Sequence, residues 1–118
     1  MKERGDRRRH WGRIALLVAI TAGAAFLRLY RIGSLPPADG YDAAYYGVDA
    51  LQLLRGDPPR LMYPPNREPL FSYMVAAAFA LLGPSTMAIH ATSAFVGILT
   101  VPAVYWTADA LFDEAEEP

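Results

Sequence analysis

Apolar positions fall into long uncharged runs, separated by one polar stretch. Ile14 to Leu27 carries no charge, and from Pro69 to Ala108 the single His90 is the only titratable side chain apart from tyrosines. The second run is about forty residues, enough for two helical crossings of a bilayer at roughly twenty each. A soluble core almost never continues that far without a charge. The pattern predicts an all-α, polytopic helical membrane protein with about three transmembrane helices. It divides the chain into a basic tail (1–12), a first span (13–31), an outer loop (32–68), a second span (69–82), a third span (86–108) and an acidic tail (109–118).

The first span has Trp11 and Arg13 at one end and Arg28, Tyr30 and Arg31 at the other, as interfacial aromatic and snorkelling basic residues require. A cleaved signal peptide is the competing reading, because the start is basic, the apolar run is short and Ala22-Gly23-Ala24 is a passable cleavage site. No polar mature stretch follows it, and Phe26, Leu27 and Leu29 extend the apolar pattern. Pro69 suits the first turn of the second span, Gly83-Pro84-Ser85 makes a tight turn, and Pro102 is expected to kink the third. Ala88, Ala91, Ser93, Ala94 and Gly97 supply small residues for close helix packing in lipid.

Within the polar stretch, turn formers at Pro36-Pro37, Asp39-Gly40, Gly56-Asp57-Pro58-Pro59 and Pro64-Pro65-Asn66 leave room for one helix, 41–55. Asp39 or Asp42 can cap its start, and Gly56 followed by prolines stops it. On helical geometry Ala44, Val48, Leu51 and Arg55 share one stripe, while Asp42, Tyr46 and Asp49 share another. A juxtamembrane helix lying apolar side down on the bilayer is expected.

The net charge of −1 hides opposite ends. All 11 basic residues lie at or before Arg67, and the C-terminus is acidic. The dense basic N-terminus predicts a cytoplasmic start in the cell membrane, with the loop outside and, after three crossings, the acidic tail outside as well. Neither end reads as a nucleic-acid surface. The lack of cysteine excludes disulfides, thiolate metal sites and a cysteine nucleophile.

Asp42 is the leading candidate for chemistry. At a helix start the positive end of the helix dipole attracts its negative charge, and a carboxylate beside the bilayer serves as general base or metal ligand. Simple N-capping is the more ordinary explanation of an aspartate there. Asp49, two turns on and roughly 10 Å away, fits a solvated helix face. Tyr41, Tyr45, Tyr46 and Tyr63 can stack on a sugar or serve as interface residues. Arg67 stands where a guanidinium meets a lipid phosphate, or pairs with Glu68. His90 is a candidate by its place in a span, or a hydrated residue near the interface.

The order of Phe26-Leu27-Arg28-Leu29-Tyr30-Arg31-Ile32-Gly33, Leu35-Pro36-Pro37, Tyr41-Asp42-Ala43-Ala44-Tyr45-Tyr46-Gly47-Val48-Asp49-Ala50, Leu53-Leu54-Arg55-Gly56, Asn66-Arg67-Glu68-Pro69-Leu70-Phe71 and Leu82-Gly83-Pro84-Ser85 resembles the N-terminal part of the polyprenyl-phosphate-sugar-dependent GT-C glycosyltransferases. That group includes protein O-mannosyltransferases and aminoarabinose transferases. The resemblance covers about residues 11 to 112. It implies Asp42 as catalytic base and Arg67 near the phosphate of a lipid-linked sugar donor; Tyr45 and Tyr46, by their ability to stack on a sugar, are the substrate-binding candidates beside them. The implied reaction transfers the sugar, with inversion, to an acceptor hydroxyl or amine. The family commonly has a second acid where this chain has Ala43, so a divalent metal is not called for and no cofactor is expected. The family also has more spans, which makes a fragment, with the remainder of the enzyme as partner, the expectation. A non-enzymatic three-span membrane protein in a larger assembly is the alternative.

Overall fold

The computed structural model describes residues 2–34, 40–57 and 68–113. It is all helical: α1 (Lys2–Leu29), α2 (Tyr41–Leu54), α3 (Pro69–Leu82) and α4 (Thr86–Asp113). Two compact units are formed, one from Met1–Tyr30 with Ala94–Pro118, the other from Arg31–Ser93.

Helix ends follow local chemistry. α2 closes in a Schellman motif: the N–H of Gly56 donates to Leu53 O at 3.0 Å and that of Asp57 to Gln52 O at 3.1 Å. Gly56 holds φ at +85°, a backbone state a glycine adopts without a Cβ penalty. α3 starts at Pro69, whose missing N–H is no loss in a first turn. α4 is capped by Ser85, whose Oγ accepts the N–H of Ala88 at 3.1 Å. It continues without interruption through Pro102. Thr92, Thr100 and Thr107 each donate their hydroxyl to the carbonyl four residues back, at 2.8, 2.9 and 2.8 Å, so these hydroxyls need no water.

In the Arg31–Ser93 unit, α2 packs on α3. The core is Ala50, Val75, Ala76, Phe79 and Ala88, with Leu51, Leu53, Phe71, Ala78 and Ile89 around it. Gly47 permits the approach: a Cβ there would lie 3.2 Å from Ile89 Cδ1 and 3.8 Å from Phe79 Cζ. The buried side of α2 is thus Gly47 and Ala50. Of the expected apolar stripe Leu51 reaches this core, while Ala44 and Val48 are exposed. Small residues won the buried face because close contact with Phe79 and Ile89 needs absent side chains more than hydrophobic ones.

Entry and exit of this unit meet. His90 Nδ1 lies 3.0 Å from the Ile32 carbonyl oxygen, so the ring proton sits on Nδ1 and donates. A Cβ on Gly33 would come within 3.0 Å of Met87 Cε. The backbone turns after α1 through Arg31, whose φ of +53° is left-handed, fastened by Ser34 N–H to Arg31 O at 2.8 Å.

In the other unit, large apolar side chains lie exposed along both helices, among them Leu16, Val18, Phe26, Phe95, Leu99 and Val104. Two helices, Arg7–Leu29 and Thr86–Phe112, are long and apolar enough to cross a membrane. α3 has 14 residues, about 21 Å of helix, short of a roughly 30 Å hydrocarbon layer.

Candidate functional site

The site forms where α2 begins. Gly40, extended at φ −66° and ψ 159°, is the N-cap, and no side chain caps the helix. Asp42 therefore lies inside the first turn rather than at the cap, which removes the capping explanation for its carboxylate. It is exposed and makes no hydrogen bond or ion pair with other described residues. Tyr41 is 86% exposed beside it.

One turn on, Tyr46 is half-buried, its ring edge-on to Phe71 with centroids 4.8 Å apart at 83°. Its hydroxyl donates to Glu68 Oε2 at 3.2 Å. Side chains on a helix lean toward its N-terminus, so the Tyr46 ring leans toward the turn that carries Asp42. Glu68, the N-cap residue of α3, is drawn to this end of α2 by the α2–α3 packing. Glu68 thus sets a second acid against Tyr46, four residues on from Asp42. Sequence reading missed it because Glu68 lies 22 positions from Tyr46 and adjacent to Arg67, its obvious partner.

Tyr45 is exposed on the neighbouring face, and Asp49 is half-buried two turns from Asp42. The structure brings Asp42, Tyr45 and Tyr46 to one end of α2. Arg67 and Tyr63 lie outside the described residues. His90 is engaged with the Ile32 carbonyl, a fastening between segments. Among the described residues no group of three or more His, Asp or Glu gathers as a metal site.

Chemically, an exposed carboxylate beside tyrosine rings can accept a proton from an acceptor while an aromatic face holds a sugar. Comparison of the chain with protein-family models, curated proteins and solved structures finds no match.

Proposed function

We propose that this chain carries the base-bearing segment of a membrane glycosyltransferase that moves a sugar from a polyprenyl-phosphate carrier to an acceptor hydroxyl or amine at the outer membrane face. The observation that carries the reading is Asp42: exposed, inside the first turn of α2, unused as a cap and without a described partner. The residue order from Phe26 to Ser85 supports it. In the reaction, an Asp42 oxygen takes the acceptor proton as the acceptor attacks the anomeric carbon. The bond from that carbon to the phosphate oxygen breaks with inversion, and the lipid phosphate leaves with the electron pair. A cation such as Arg67 stabilises the charge developing there.

Topology belongs to the same proposal. The Arg31–Ser93 unit is entered and left at one place, through Ile32–His90 and Gly33–Met87. α3 packs on α2, which carries Asp42, Asp49 and Gln52, residues that do not belong in hydrocarbon, so α3 stays with α2 outside. With the basic N-terminus cytoplasmic, α1 runs outward, α4 runs inward, and the acidic tail is cytoplasmic. This reading has two crossings where the hydropathy pattern alone suggests three.

Asp42→Asn, in membranes of cells making the chain, is expected to lower transfer from a polyprenyl-phosphate sugar by about 100-fold or more, the usual worth of a general base, without changing membrane insertion. Transfer at the wild-type rate by this variant would sink the assignment. A second reading, a non-enzymatic partner in a membrane assembly, is favoured by a shallow apolar groove of about 330 Å3 on α4, lined by Ala103, Val104, Thr107, Ala108, Leu111 and Phe112. On that reading Asp42→Asn is silent, whereas Phe112→Ala weakens assembly.

A further inference from the structure

Arg28 is out of place as a simple anchor. It stands in the last turn of α1, and its side chain lies across Gly97 of α4. A Cβ on Gly97 would collide with the guanidinium and approach Arg28 Cδ to 3.1 Å. Glycine here is a seat: the missing side chain leaves the space that the arginine fills. The guanidinium is exposed, and its five N–H donors make no hydrogen bond or ion pair with other described residues.

No carboxylate of this unit is within reach along the helices. Asp109, the first acid of α4, is twelve residues beyond Gly97, about 18 Å along the axis. On α1 the nearest acid in sequence is Asp6, 22 residues before Arg28, about 33 Å away. The neighbouring side chains Leu27, Leu29, Phe95 and Leu99 are apolar and exposed. A planar cation with every donor open, fixed on a helix between apolar side chains, lacks only an anion whose remainder is comfortable in lipid. Arginine's fork matches the oxygens of a phosphate better than a point charge does.

We propose that Arg28, seated on Gly97, binds the phosphate of an anionic membrane lipid. The chemistry recognised is a phosphate ester carrying net negative charge on an acyl or prenyl tail. The proposal rests on the membrane reading of α1 and α4 but not on the glycosyltransferase assignment.

The test is retention of lipid by the whole chain. The purified protein is exchanged into vesicles of phosphatidylcholine doped with phosphatidic acid or with decaprenyl phosphate, then extracted, and bound lipid is counted by native mass spectrometry. Oleate replaces the phospholipid in one arm, and inorganic phosphate competes in another. Wild type is expected to retain either phosphate lipid, with oleate not retained and inorganic phosphate failing to displace it. Arg28→Gln and Gly97→Ala are each expected to lower retention about tenfold, equivalent to ~1.4 kcal/mol. Arg28→Lys falls between, and Arg13→Gln, 15 residues earlier on α1, leaves retention unchanged. Equal retention of oleate would reduce Arg28 to a general charge anchor and overturn the proposal. Wild-type retention by Gly97→Ala would overturn the seat, and displacement by inorganic phosphate would assign the group to a soluble ligand. Asp42→Asn retains lipid normally, so failure of the catalytic reading leaves this one separately readable.

Discussion

Phe79→Ala would test whether α2, α3 and the start of α4 form one cooperative core. Phe79 is 5% exposed, packs with Val75, Ala76, Ala50 and Ala88, and lies against Gly47. Truncating a buried phenylalanine costs about 3–5 kcal/mol, as lost transfer energy plus the cavity left behind. The unit spans residues 31–93, for which ordinary stabilities per residue give ~3–9 kcal/mol in total. One truncation therefore removes about a third or more of its stability. Because the chain has no cysteine, a single thiol reports opening without background. Ala50→Cys places it at a position with 0% exposure, and its rate of modification by a small maleimide follows the open population. Adding Phe79→Ala should raise that rate about 100-fold or more, since each 1.4 kcal/mol is tenfold. The control is Leu81→Ala, in the same helix but 85% exposed, which should leave the rate within a few-fold. If Phe79→Ala leaves the thiol as protected as before, or if Leu81→Ala exposes it equally, the core does not exist as described.

Other predictions follow from the same contacts. On the proposed two-crossing topology, a cysteine at Asp57 is expected to react with an impermeant reagent on intact cells, and one at Glu116 only after permeabilisation; labelling of both on intact cells would support a third crossing. Ser85→Ala removes the cap of α4 and should destabilise the Arg31–Ser93 unit by about 1 kcal/mol, read as a several-fold faster reaction of the thiol at position 50. Tyr46→Phe loses the exposed bond to Glu68 but keeps the ring on Phe71, so its cost should stay below about 1 kcal/mol. Tyr46→Ala also loses the edge-on ring contact, itself worth ~0.5–1.5 kcal/mol beyond buried area, and should cost more.

Punctuation residues made the helix ends legible. Gly56, Pro69 and Ser85 act through backbone φ, a missing N–H and a hydroxyl, all local properties, and α2, α3 and α4 begin or end at them. The uncharged runs likewise marked α1 and α4 as helices of crossing length, because hydropathy over twenty residues depends on composition alone. Length also limits what such runs say: α3 belongs to the same uncharged stretch as α4, yet is only 14 residues and packs on α2. Hydropathy cannot tell a helix facing lipid from one facing another helix.

What only the tertiary structure decided depends on residues far apart in the chain. Gly47 and Ala50 carry no hydrophobic signal, so nothing local marked them as the buried side of α2; Phe79 and Ile89 did so by filling the space above them. Asp42 was visible as a candidate, but its freedom from capping required the geometry of Gly40. Glu68 reached Tyr46, His90 reached Ile32 and Arg28 reached Gly97 across 22, 58 and 69 positions. By itself the sequence determined where the chain is helical and where it is apolar, since propensity and hydropathy are summed over neighbours. Which side chains share a site was set by the packing of helices, which brings together groups that no periodicity in the sequence relates.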